Sequence, residues 1–96
     1  MRVISIKPLR EFARKRPDAE TPLRHWLTAT RSAVWKSFSD VRATLGSADV
    51  YKGLTIFNIG GNKYRLIVAI DYKTQIVYVH YILTHKEYDA GGWKDE

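Results

Sequence analysis

The stretch from Val50 to Thr84 constrains the fold most, because its hydrophobic residues recur at strand periodicity and its breaks fall at turn-forming residues. Val50 to Ile59 is rich in Val, Tyr, Thr, Ile and Phe, and Gly60-Gly61-Asn62 supplies a turn. Lys63 to Tyr72 alternates cleanly, Lys73-Thr74-Gln75 makes a tight connection, and Ile76 to Thr84 completes a three-stranded antiparallel meander. With period two, Tyr64, Leu66, Val68 and Ile70 share one face and Lys63, Arg65, Ile67, Ala69 and Asp71 the other. The first set should meet any helices, and Arg65 should point away from them. In the last strand Val77, Val79, Tyr81 and Leu83 oppose Tyr78, His80 and Ile82.

Ahead of Gly46 the periodicity is helical. Val3, Ile4 and Ile6 form a short apolar run, a strand too short to stand alone whose partner the sequence leaves open. Leu9, Phe12 and Ala13 then recur at helical spacing between Pro8, acceptable in a first turn, and Pro17, which closes the segment. Thr21-Pro22 is a helix start signal, and Leu23, Trp26, Leu27, Thr30, Val34 and Phe38 line one stripe of a helix predicted over about residues 22 to 37. One further turn is expected over Val41 to Leu45. The fold class is α+β, with a short amino-terminal strand and two helices packed on an antiparallel sheet in the order β-α-α-β-β-β. Trp26 belongs to the core stripe and Trp35 sits near its edge. Ala90 to Glu96 reads as a frayed tail apart from Trp93, which has three options: the domain, a partner or a base.

Composition narrows the function classes. Ninety-six residues suffice for one small core and not two. A hydrophobic content of 45% with 12% aromatics is too high for a disordered chain. The absence of cysteine excludes disulfides, thiolate metal sites and cysteine nucleophiles. Charge arrives early at the amino terminus and no apolar run approaches a membrane span, so neither signal peptide nor membrane anchor is expected and the cytoplasm is the natural compartment. The net charge of +6 is uneven: residues 1–50 hold ten basic against five acidic side chains, residues 51–96 six against five. Lys7, Arg10, Arg14, Lys15 and Arg16 carry much of the excess. They make either a solvated helix face or a surface for phosphate backbones or an acidic partner.

No phosphate-binding glycine loop, dinucleotide fingerprint or metalloprotease His pair is present, and His25 and His80 stand alone, so neither cofactor nor metal is expected. The densest polar group is Thr84-His85-Lys86-Glu87-Tyr88-Asp89, which combines an imidazole, an ammonium, a phenol and two carboxylates at the exit of the last strand. That mixture suits metal-independent phosphodiester cleavage by general acid and base, with Arg65 available to offset charge developing on phosphate. A solvated strand exit with Tyr88 tucked onto the core fits the same residues. Asn58 and Asn62 flank the Gly-Gly turn and have turn-forming explanations, a role at substrate being secondary.

Phe57-Asn58-Ile59-Gly60-Gly61-Asn62-Lys63-Tyr64-Arg65-Leu66-Ile67 and Val79-His80-Tyr81-Ile82-Leu83-Thr84-His85-Lys86-Glu87-Tyr88-Asp89, at their mutual spacing, resemble the HigB family of toxins from bacterial type II toxin–antitoxin modules, within the RelE-like superfamily. The resemblance covers essentially the whole chain and implies a single RelE-like toxin domain over residues 1–96. It implies an endoribonuclease that cleaves mRNA on the translating 70S ribosome. It also implies a HigA-type helix-turn-helix antitoxin, through which alone operator DNA would be bound. By position, Arg65 resembles the sheet arginine that holds the scissile phosphate. His85, Tyr88 and Asp89 resemble the carboxy-terminal group that supplies acid and base, with Lys86 able to share that role. Asn58 and Lys63 join the basic helix as expected contacts to RNA or ribosome. A non-catalytic RNA- or ribosome-binding module is the alternative function.

Overall fold

The computed structural model describes residues 1–95. It runs β1 (Arg2–Ile4), α1 (Lys7–Lys15), a 3-10 turn (Pro17–Ala19), α2 (Glu20–Ser32), α3 (Phe38–Thr44), β2 (Asp49–Tyr51), β3 (Leu54–Ile59), β4 (Tyr64–Asp71), β5 (Ile76–Thr84), α4 (His85–Ala90) and a second 3-10 turn (Gly92–Asp95). One sheet has the order β1-β5-β4-β3-β2. The α+β class and the strand–helices–meander order hold. The partner of β1 is β5, and the two run parallel, so the sheet is mixed.

The helices cover one face. Leu9, Leu23 and Trp26 meet Leu66, Val68, Val77 and Val79 in the main core, whose largest fully buried side chain is Trp35. Each such side chain contributes about 1.5–3 kcal/mol through removal from water. The inward set of β4 is the predicted one, with Tyr64, Leu66, Val68 and Ile70 all on the helix side.

Four expectations need correction. The long helix starts at Glu20, with no side-chain cap from Thr21, and stops at Ser32 rather than near 37. Beyond it the chain runs extended: Val34 is 70% exposed while Trp35 is buried. Remote groups hold it there, because the Met1 ammonium donates to the Ala33 carbonyl and the Gln75 amide donates to that of Trp35. Trp35 Nε1 donates to Thr44 Oγ1 at 3.1 Å, which ties it to α3, a full helix where a single turn was expected.

Second, the strand expected over Val50–Ile59 is broken at Lys52-Gly53, where both residues have positive φ. Third, β5 does not alternate evenly. Ile67 faces Tyr81 while Val68 faces Val79, so His80 is the extra residue of a β-bulge. Val77, Val79 and Ile82 therefore pack under the helices, whereas Tyr81 and Leu83 turn to the opposite face.

Fourth, the tail to Asp95 is structured and Trp93 is buried on the domain. There it joins Ile56 and Ile67 in a second, smaller cluster on the sheet face away from the helices. Glu96, grouped above with that tail, lies outside the described residues.

Candidate active site

The site is built from the ends of β4 and β5 and the helix that follows. Gly60 and Gly61 both adopt positive φ, 64° and 70°, and reverse the chain so that Tyr64 pairs with Thr84 and Arg65 with Leu83. The Lys63 carbonyl accepts the His85 N–H at 3.0 Å, which docks the start of α4 on this turn. Thr84 and Glu87 form a capping box: the Thr84 hydroxyl accepts the Glu87 N–H, and the Glu87 carboxylate accepts the Thr84 N–H at 2.9 Å. The backbone hydrogen bond from Thr84 is the main reason the Glu87 carboxyl titrates below its ordinary value. The terminal polar group is therefore a helix, with Thr84 as its cap, rather than an irregular strand exit.

Arg65 lies on the face away from the helices, as its alternation requires, yet it is only 8% exposed. Nη1 donates to its neighbour's carbonyl at Tyr64 (3.2 Å), Nη2 donates to Asn62 Oδ1, and the guanidinium sits over the Tyr88 ring at 5.4 Å from its centroid. Tyr88 is itself stacked on Trp93, with centroids 5.3 Å apart and planes 14° apart, and Trp93 Nε1 donates to the Tyr88 carbonyl at 3.1 Å. On the solvent side of α4, His85 Nε2 lies 3.1 Å from Asp89 Oδ2, one turn apart, with the side chains 46% and 61% exposed. Lys86 is exposed on the same turn.

The structure thus gathers Arg65, His85, Tyr88 and Asp89 at one end of the sheet. Asn58 is exposed on β3 directly opposite Arg65. Lys63 bonds the Asp18 carboxylate at 3.2 Å, on the opposite, helix side. Lys7, Arg10, Arg14, Lys15 and Arg16 are all exposed on or just after α1, with Lys7 3.8 Å from Glu11 and Arg16 over Phe12. Two residues named in the sequence support the site in a way their local pattern does not show. Asn62, read as a turn former with a secondary role at substrate, holds Arg65 three residues on through its amide oxygen. Trp93 carried one signal, an isolated large aromatic just after a Gly-Gly pair that can turn the chain back.

Asp18 fastens the helix layer to this end of the sheet. The Tyr64 hydroxyl donates to Asp18 Oδ1 at 2.6 Å, and that bond, followed by Lys63, holds the carboxyl below its ordinary 3.8. A carboxyl lowered on folding adds stability that is complete above its unfolded value and is lost as pH falls through the folded one. Urea midpoints measured at about pH 5 and about pH 3 should therefore fall less in Tyr64→Phe than in the unsubstituted protein.

Fold and site define a small α+β domain that presents a buried cation and titratable side chains at the end of an open sheet face. A family model described as HigB_toxin, the RelE-like toxic component of a toxin–antitoxin system, matches residues 19–91. The chain is 32% identical over 92 residues to the mRNA interferase toxin HigB of Escherichia coli and to the mRNA interferase HigB of Shigella flexneri, covering 93% of this chain and 88% of each relative. A second Escherichia coli mRNA interferase HigB is 27% identical over 92 residues, covering 93% of this chain and 89% of that relative. The chain belongs to the HigB family of RelE-like toxins of type II toxin–antitoxin systems. Among the described residues no helix is long and apolar enough to cross a membrane.

Proposed function

We propose that the chain is a toxin endoribonuclease that cleaves mRNA on the translating 70S ribosome and is neutralised by a HigA-type helix-turn-helix antitoxin. The observation that carries the reading is the state of Arg65. A buried guanidinium is ordinarily matched by a carboxylate, yet among the described residues no ion pair gives Arg65 one. Its neighbours are a carbonyl, an amide oxygen and a ring face, which orient it while leaving its charge unbalanced. A phosphodiester supplies the missing charge in a geometry that the guanidinium fork matches. The printed names of the relatives, mRNA interferases, support the same substrate.

In the reaction the ribose 2′-oxygen attacks the adjacent phosphorus as the bond to the 5′-oxygen breaks, leaving a 2′,3′-cyclic phosphate and a free 5′-hydroxyl. One group removes the 2′-proton, another protonates the 5′-oxygen, and a cation stabilises the charge gathering on the non-bridging oxygens. Arg65 is the cation, and the exposed Lys86 at the start of α4 shares that role. His85 and Tyr88 exchange the two protons. The Asp89 carboxylate, 3.1 Å from His85 Nε2, restrains the ring from one side. With Trp93 and Arg65 against its ring, Tyr88 offers its hydroxyl edge rather than a stacking face. These side chains need no cofactor. A ribosome that presents the message supplies the alignment a shallow site lacks, and the exposed cations of α1, with Asn58 and Lys63, dock on RNA phosphates. Operator DNA is bound only through the antitoxin.

Expression of the chain should arrest growth, and primer extension on translated transcripts should reveal new 5′ ends. His85→Ala should abolish both while the protein still folds and copurifies with its antitoxin. Uncut transcripts from the unsubstituted protein, with ribosome cosedimentation retained, would instead make the chain a non-catalytic ribosome-binding module.

A further inference from the structure

The bulge in β5 has no part in the chemistry above. We infer that it builds a second RNA subsite, in which His80 and Tyr81 stack the base of a nucleotide next to the scissile phosphate; this rests on the endoribonuclease reading. An unbroken β5 would send His80 and Tyr81 to opposite faces. The extra residue re-aims the strand instead, so that Tyr81 turns to the outer face with Leu83, and His80 stays exposed beside it with ring centroids 6.2 Å apart.

Register fixes where this pair stands relative to Arg65. Leu83 is the direct partner of Arg65 and Tyr81 that of Ile67, so Tyr81 is two positions further along the same face, a step of about 7 Å. That is within one nucleotide's reach of an extended strand held at Arg65. Three shallow clefts meet at Tyr81. One, of about 340 Å³, runs toward Glu87 and Trp93; one, of about 320 Å³, lies between Trp93, His80 and Lys52; and one, of about 290 Å³, lies against α1 at Phe12 and Lys15. An aromatic ring with open space on its flanks and a lysine at either end matches a single-stranded nucleotide, whose base offers flat apolar faces and whose backbone is anionic. The two carboxylates on the rims are already engaged, Glu11 with Lys7 and Glu87 with the Thr84 N–H.

The test uses the purified full chain, a short single-stranded oligoribonucleotide made uncleavable by 2′-O-methylation, and fluorescence anisotropy, alongside primer extension on translated message. Tyr81→Ala should weaken binding about tenfold and change which positions are cut, whereas Tyr81→Phe should stay within about twofold. An oligoribonucleotide abasic at the stacked position should lose the same factor, and Tyr81→Ala should then add no further loss. Lys52→Asn carries little folding risk, because the site is an exposed turn whose φ of 46° asparagine adopts readily. It should weaken binding about threefold and reduce the salt slope by about one. Folded Tyr81→Ala and Lys52→Asn proteins that bind and cut like the parent, while Arg65→Ala no longer cuts, would overturn the subsite and leave the nuclease reading standing. An Arg65→Ala protein that cuts normally would count against the nuclease site itself.

Discussion

Replacing Arg65 with alanine is expected to lower the rate of message cleavage by about 10²–10³-fold, the usual cost of deleting one preorganised group aimed at developing charge. The size of the effect follows from burial. A guanidinium in water loses most of its field to the solvent, whereas Arg65 is 8% exposed and held by the Tyr64 carbonyl and the Asn62 amide. The fold should survive. Deletion leaves those two acceptors without a donor, at about 1–3 kcal/mol each if both stay dry, but it also removes a buried positive charge that no carboxylate balances. Arg65→Lys should recover part of the rate, since it keeps the charge and loses the fork. Single-turnover cleavage of translated message, with thermal melts and antitoxin copurification as controls, measures each effect. Wild-type cleavage by a folded Arg65→Ala protein would remove Arg65 from the chemistry.

How far the fold can be read from sequence depends on how local its causes are. The face assignment of β4 needed only its own alternation and the Gly60-Gly61 reversal, and it placed Arg65 on the correct side. In β5 the same reasoning fails at His80, because a bulge is decided by how two strands align and leaves no mark on a residue count. The end of α2 is likewise set from outside. Nothing in Ala33-Val34-Trp35 forbids another turn, but the Met1 ammonium and the Gln75 amide claim the carbonyls of Ala33 and Trp35, and burial of the indole outweighs the helical hydrogen bonds forgone.

The candidate site divides the same way. Its residue types were evident as a dense polar group, and the Thr84-x-x-Glu87 pattern is itself a local helix-start signal that the strand reading passed over. The support beneath the site was not evident. Arg65 meets Tyr88, and Tyr88 meets Trp93, through contacts that span 28 residues of chain and exist only once β4, β5 and the tail have folded together.

That support makes Trp93→Ala the sharpest test of the carboxy-terminal segment. Trp93 is 6% exposed, stacks on Tyr88 and meets the Tyr51 ring edge-on at 5.3 Å. Truncating a buried tryptophan costs about 3–5 kcal/mol, and in a domain of this size the Tm should fall by more than about 10 °C. The loss should be uneven. The main core, from Leu9 and Trp26 to Val79, lies on the other face of the sheet and does not include Trp93, so the helix layer should keep its packing. The second cluster keeps only Ile56 and Ile67 as fully buried members, and Tyr88 loses both its stacking partner and the indole N–H on its carbonyl. Below the new Tm, Arg65 and α4 should shift enough to lower cleavage by about 10²-fold, the cost of misplacing a catalytic group by roughly an ångström. Trp93→Phe keeps an aromatic ring on Tyr88 and should recover most of the rate while losing the hydrogen bond. Thermal melts by circular dichroism and single-turnover cleavage on the same preparations separate the two effects. A Trp93→Ala protein that melts early yet cuts at the parent rate would mean that the capping box and the docking of His85 on Lys63 suffice to hold α4.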